Sequence, residues 1–252
     1  MVLFVAVLGL FIGSFLNVCI HRIPVKESIM WPGSHCPRCG KAIKPWDNIP
    51  VVSYLILRGR CRSCSEPISV RYPVVELLSG LLAVSLLYRF GPGVGFIFYY
   101  LWACALLVIT FIDLDHQIIP DRLSLGGIVV GLLAVPWLAV EGYKDALLGL
   151  ALGGGLLLAI IYGYYLITKK QGMGGGDVKL LGMIGVFIGW QGVLFTVFMA
   201  SLMGTCIGIP WVYLRKATLK AAIPFGPFLS LGAFIYVLWG SQMISWYFGL
   251  MG

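Results

Sequence analysis

Charge is what this chain has least of. Only 11% of its residues are Asp, Glu, Lys or Arg, and the acids number 10. A soluble domain needs a polar shell, and a chain that is 60% hydrophobic with a mean hydropathy of +0.95 does not supply one. That shortage excludes a soluble globule and points to an all-α polytopic membrane protein. Other absences narrow the chemistry. No dinucleotide-type glycine fingerprint and no soluble α/β pattern is present, so the residues give no independent support for a nucleotide or methyl-donor fold. No convincing internal repeat of spans is visible either, which speaks against a repeat-built transporter.

The few cations are unevenly placed. Arg89 and Lys144 fall in short loops on one side, while the rest crowd into 22–71, Arg122, 169–179 and 215–220. That asymmetry puts the crowded side in the cytoplasm. It also accounts for the net charge of +8 through anionic membrane lipid, without a nucleic-acid partner. Residues 2–20 read as a retained first transmembrane helix with its N-terminus outside, because the cations follow the run. Gly13, Ser14 and Asn17 share one face of it and predict packing against another helix. Residues 21–72 form a polar insert, and residues 73–252 the main membrane domain. Spans are expected over 74–88, 94–112, 123–140, 146–167, 178–190, 193–214 and 223–248, giving about eight with the first. The run 178–190 is short and reads as a short or re-entrant helix.

Within the insert, Cys36-Pro37-Arg38-Cys39 and Cys61-Arg62-Ser63-Cys64 are two C-x₂-C hooks. About 20 residues lie between them, the spacing of a tetrahedral four-cysteine zinc site. A reducing compartment favours thiolate metal ligands over disulfides, and no βαβ setting accompanies the hooks to make a redox pair. Four protein ligands close the site, so Zn²⁺ is expected to be structural, stabilising an insert too small for a sufficient core. His35 reads as an exposed neighbour of Cys36, and Val51-Val52-Ser53-Tyr54-Leu55-Ile56-Leu57 as a strand. Cys19, Cys104 and Cys206 read as small core residues.

The acids of the membrane portion are Glu76, Asp113, Asp115, Asp121 and Asp177, with Glu141 and Asp145 assigned to an outer loop. Asp177 follows Gly174, Gly175 and Gly176 at the mouth of an apolar run. An acid there either functions or starts a helix. Asp113 closes an inward-running span, Asp177 opens an outward-running one, and two crossings separate them, so both lie at the same membrane face. Two such carboxylates can share a proton and hydrolyse an amide through water. The helix ends suit Asp177 as starting base and Asp113 as starting acid. The glycines leave room for an extended peptide backbone to approach Asp177. Asp121 sits where an N-cap of the next span belongs, Asp115 and His116 either line the site or are solvated, and Glu76 reads as an ion-pair partner. An Asp-x-Asp group can bind Mg²⁺, but nothing that cradles phosphate accompanies it.

Several motifs in order give the chain a resemblance. Gly13-Ser14-Phe15-Leu16-Asn17-Val18, His21-Arg22-Ile23-Pro24, the two cysteine hooks and Trp46-Asp47-Asn48-Ile49-Pro50 come first. Arg71-Tyr72-Pro73-Val74-Val75-Glu76, Asp113 through Ile119-Pro120-Asp121, Met173-Gly174-Gly175-Gly176-Asp177-Val178-Lys179-Leu180 and Pro224-Phe225-Gly226-Pro227-Phe228 follow. In this order they resemble the type IV prepilin leader peptidases that are also N-methyltransferases, of the GxGD class of intramembrane aspartyl proteases. The resemblance implies Asp113 and Asp177 as the catalytic pair. It implies prepilins or pseudopilins as substrates, cut after a glycine at the cytoplasmic face of the bacterial inner membrane. It further implies methylation of the new N-terminal residue from S-adenosylmethionine, with Glu76 a residue related to that half-reaction. Two other readings stand beside it: an ion-coupled membrane carrier using the paired acids, and a scaffold whose zinc module recruits a partner.

Overall fold

The computed structural model describes residues 1–169, 174–214 and 224–249. Met173, Lys170, Arg215, Lys216, Lys220 and Ile223 lie outside the described residues. Apolar chain in a bilayer must satisfy its backbone internally, and the described residues accordingly fold as helices, with no strand. They are α1 (Val2–Arg22), α2 (Val52–Ile56), α3 (Arg71–Phe90), α4 (Val94–His116), α5 (Asp121–Ala134), α6 (Tyr143–Thr168), α7 (Gly175–Leu214) and α8 (Gly226–Gly249). Five of these are long and apolar enough to cross a membrane: α1, α3, α4, α6 and the described part of α7. The chain is a multi-pass membrane protein.

The expected segments map onto these helices with one difference. The span over 123–140 is helical for only 14 residues, because Pro136 brings no N–H and the chain passes into the short 3-10 turn Val135–Trp137. The segments 178–190 and 193–214 fall in the continuous run α7, which is two helices meeting at a kink at Gly189, where φ is 71 and ψ is 179, so the expected division lies at the break. Glycine is what tolerates that angle. Asp145, dismissed above as a loop acid, holds the break: its carboxylate accepts from the Trp190 amide at 3.3 Å and from the Glu141 amide at 3.2 Å.

Helices approach closely where side chains vanish. Gly13 of α1 lies where a Cβ would meet the Glu76 Cα at 2.6 Å, so α1 rests almost backbone to backbone on α3. Gly149 of α6 and Gly185 of α7 face each other the same way, each against the other's carbonyl. The core lies around α4 and the first half of α7, where Leu106, Ile109, Ile112, Leu180, Leu181, Met183 and Ile184 are buried.

The insert between α1 and α3 carries two matching knuckles. The Cys36 amide donates to the Lys41 carbonyl at 3.0 Å, and the Cys61 amide to the Glu66 carbonyl at 2.8 Å. After the second cysteine of each hook the chain turns through a positive φ, at Gly40 and Ser65. The strand expected over 51–57 is the single helical stretch α2 instead. The reason lies at Val51, whose φ of 61 bends the chain and whose N–H is taken by Glu76. Cys19 and Cys104 are buried as expected, whereas Cys206 is exposed on the outer surface of α7, where lipid suits a thiol as well as a core does.

Candidate active site and metal centre

Asp113 stands in the last turn of α4, and Asp177 in the first turn of α7. α4 stops there because Gln117 takes a left-handed φ of 54 and returns its amide to the Asp113 carbonyl at 2.9 Å. The following Ile118-Ile119-Pro120 runs on to α5, and its Ile119 packs against Gly176, where a Cβ would come within 3.0 Å. Lys179, one turn below, donates to Asp121 Oδ1 at 2.7 Å. The two loops that carry the acids are therefore docked on each other.

Both carboxylates are withdrawn from the surface, Asp113 at 5% and Asp177 at 9% exposure. They are near enough to feel each other's charge. Asp113 Oδ2 accepts a hydrogen bond from the Gly226 amide at 3.0 Å. Gly226 begins α8, so Asp113 meets the N-terminus of one helix as well as the C-terminus of its own. Helix ends alone therefore do not order the two acids as base and acid. The Gly226 donor was not legible beforehand. Its motif, Pro224-Phe225-Gly226-Pro227-Phe228, entered the sequence reading only as part of the resemblance.

The glycines of the loop differ. Among the described residues, a Cβ at Gly175 would meet nothing within 4 Å and one at Gly174 only the Gly176 amide at 3.9 Å, while Gly176 is already in contact with Ile119. Asp121 is the first residue of α5 and makes no cap, since Pro120 occupies that position. Its partner is Lys179 rather than the backbone. Asp115 pairs with Arg71, which also donates to the Phe111 carbonyl at 3.1 Å and stacks on the Phe111 ring.

Arg71 being so engaged, Glu76 is not its partner, contrary to the ion-pair expectation. Glu76 is buried and accepts from the Val51 amide at 2.7 Å. Asn17 adds a second tie, donating to the Tyr72 carbonyl at 3.1 Å. Gly13, Ser14 and Asn17 thus form the face that predicted helix packing, and they join α1, α3 and the insert at one point.

In the insert, Cys36, Cys39, Cys61 and Cys64 bring their four Sγ atoms within 4.8 Å of one another, a group that could hold a metal ion. The amides of Cys64 and Ser63 hold the Cys61 thiol down to about 7, toward the thiolate that a metal requires. Four thiolates so close repel unless a cation lies among them, which suits the donor set to a metal. Arg62 clamps Asp47 through three hydrogen bonds of 2.6 to 3.1 Å, tying the second hook to the 3-10 turn Pro45–Asn48. His35 is exposed and lies against the Gly33 carbonyl, away from any ligand role.

Fold and site together define a polytopic helical membrane protein with two buried acids at one end of its bundle and a four-cysteine module inserted after the first span. Residues 7–90 match the bacterial peptidase A24 N-terminal domain, and residues 100–209 match the type IV leader peptidase family. The chain belongs to the type IV leader peptidase family. It is 39% identical to a prepilin leader peptidase/N-methyltransferase of Pseudomonas aeruginosa, over all of this chain and 94% of that protein. Similar proteins of the same name occur in Aeromonas hydrophila, at 38% over 95% of this chain and 91% of the relative, and in Legionella pneumophila, at 35% over 99% and 95%. No solved structure matches the chain.

Proposed function

We propose that this protein cleaves the basic leader peptide of type IV prepilins or pseudopilins and then methylates the new N-terminal residue. The relatives carry both activities in their name. The observation that bears most on the first is the burial of two carboxylates, Asp113 in the last turn of α4 and Asp177 in the first turn of α7, where the two loops dock. Sharing one proton, they activate water. The ionised acid removes a proton from water as its oxygen adds to the scissile carbonyl carbon, and the protonated acid donates to the carbonyl oxygen. The tetrahedral intermediate then collapses. Its C–N bond breaks, and the proton taken from water passes to the leaving amine.

Gly174 and Gly175 offer the open edge along which an extended substrate backbone approaches Asp177. Lys179 and Arg71 position the loops without touching the reacting atoms. The crowding of Lys and Arg on the side of the acids orients both site and insert toward the cytoplasm, in the inner membrane of a bacterium. Cys36, Cys39, Cys61 and Cys64 hold Zn²⁺, which supplies folding energy to residues 21–72 and takes no part in the reaction.

S-adenosylmethionine is the methyl donor by kinship. Glu76 serves that half-reaction through structure rather than contact: its Oε2 is committed to the Val51 amide, so it fixes the insert against the membrane domain. Glu76→Gln with both cleavage and methylation unchanged would remove this role.

The decisive experiment incubates the purified full chain with a prepilin peptide. Cleavage is expected to vanish in Asp113→Asn and in Asp177→Asn while the variants remain folded. Undiminished cleavage in either rejects the dyad. An ion-coupled carrier, by contrast, predicts no cleavage by the wild type.

A further inference from the structure

Immediately after α1 the chain folds back on the end of that helix. Arg22 is buried there, and its guanidinium donates to the Ser28 carbonyl at 2.9 Å and the Pro32 carbonyl at 2.7 Å. The Glu27 amide returns to the Arg22 carbonyl at 3.0 Å. Between these anchors, Ser28 Oγ accepts from the amides of Met30 and Trp31 at 3.3 Å each, rounding the segment into a turn. Three large apolar side chains stand on it: Ile29 at 41%, Met30 at 86% and Trp31 at 79% exposure. A buried arginine with both terminal nitrogens engaged keeps this apolar turn on display. Neither the dyad nor the cysteine site uses it.

We propose that residues 28–32 are an interfacial anchor, with Ile29, Met30 and Trp31 seated in the headgroup region of anionic phospholipid. Depth is the first argument. The turn is rooted on the last residue of a helix long enough to span the membrane, so it stands at the boundary between hydrocarbon and water. Residue type is the second. Tryptophan, with an apolar body and one polar N–H, is the side chain suited to that boundary. The third is continuity, because α1 already presents Phe4, Phe11 and Phe15 outward as a lipid-facing surface. Charge is the fourth. Exposed Lys26 stands two residues before the turn, next to Glu27, and residues 21–72 carry nine Lys and Arg against three acids. Held at Arg22 and wedged into the interface, the turn fixes the insert over the membrane. The proposal does not depend on the peptidase reading.

The test places a photoreactive residue at the turn, as Trp31→p-benzoylphenylalanine, in the full chain reconstituted into nanodiscs. Irradiation followed by mass spectrometry is expected to give phospholipid adducts at this position, with a yield that falls when phosphatidylglycerol is replaced by phosphatidylcholine. Adducts on an added prepilin peptide with none on lipid would assign the turn to a protein partner and overturn the proposal. So would the absence of any lipid adduct in both membranes. A second measurement avoids the bulky label. Brominated lipid should quench a component of the wild-type tryptophan emission that Trp31→Phe lacks, and an identical quenched component in both proteins equally overturns the anchor.

Discussion

At Gly176 a methyl group would come within 3.0 Å of the Ile119 Cβ, whereas at Gly175 it would meet none of the described residues. The two glycines beside Asp177 therefore answer to different neighbours. Gly176→Val is expected to strain the docking of the two loops, at about 1–3 kcal/mol for overpacking, and to lower cleavage by displacing Asp177. Ile119→Ala in the same chain should restore part of it. Gly175→Leu should leave thermal stability unchanged and raise KM, because the new side chain meets none of the described residues and would stand in the way of an incoming peptide. Wild-type kinetics in Gly175→Leu would show that no substrate backbone passes there. At Gly226 a Cβ would lie 2.7 Å from Asp113 Oδ2, so Gly226→Ala is expected to reduce kcat sharply with the helices intact by circular dichroism. The value of each acid was legible in the sequence, since charge is scarce and costly in this environment. The donor that holds Asp113 was not, because an amide 113 residues away leaves no mark on local pattern.

On the scale of elements, the spans were read from hydrophobic runs, which depend on length and composition alone. The partners that hold their ends were not. α7 reads as two runs and breaks between them at Gly189, and Asp145 caps that break from the start of α6. Asp145→Ala should cost about 1 kcal/mol, the usual loss for a helix cap, seen as a lower midpoint of thermal unfolding in detergent. If the midpoint does not move, the carboxylate is not holding the Gly189 break. α7 is also tied at its other end, through Lys179 and Asp121, half-exposed partners whose contribution to stability is expected to stay under about 1 kcal/mol. Their effect should appear in catalysis instead. Charge reversal at either residue is predicted to lower kcat, and Lys179→Glu combined with Asp121→Lys to recover part of the loss. Equal losses in single and double variants would mean that the pair does not position the loop.

Across the whole molecule, the insert and the bundle are fastened by Glu76, through Val51, and by Arg22, through Ser28 and Pro32, rather than by a shared core. Removing a metal from the four cysteines should therefore unfold residues 21–72 selectively. A chelator that strips such a metal from the purified protein is expected to raise hydrogen exchange across the insert while α4 and the first half of α7 stay protected. Uniform loss of protection would make the metal a global rather than a local support. The sequence by itself determined the membrane class, the approximate spans, the thiolate cluster and the common face of Asp113 and Asp177. Each of these follows from local composition, a fixed ligand spacing or the parity of crossings. Only the tertiary structure decided that Gly226 donates to Asp113, that Arg71 chooses Asp115, that Glu76 holds Val51 and that Arg22 presents Trp31. These are contacts between segments distant in the chain or bent by single backbone angles, and their partners are chosen by how the helices pack, which hydropathy and spacing do not encode.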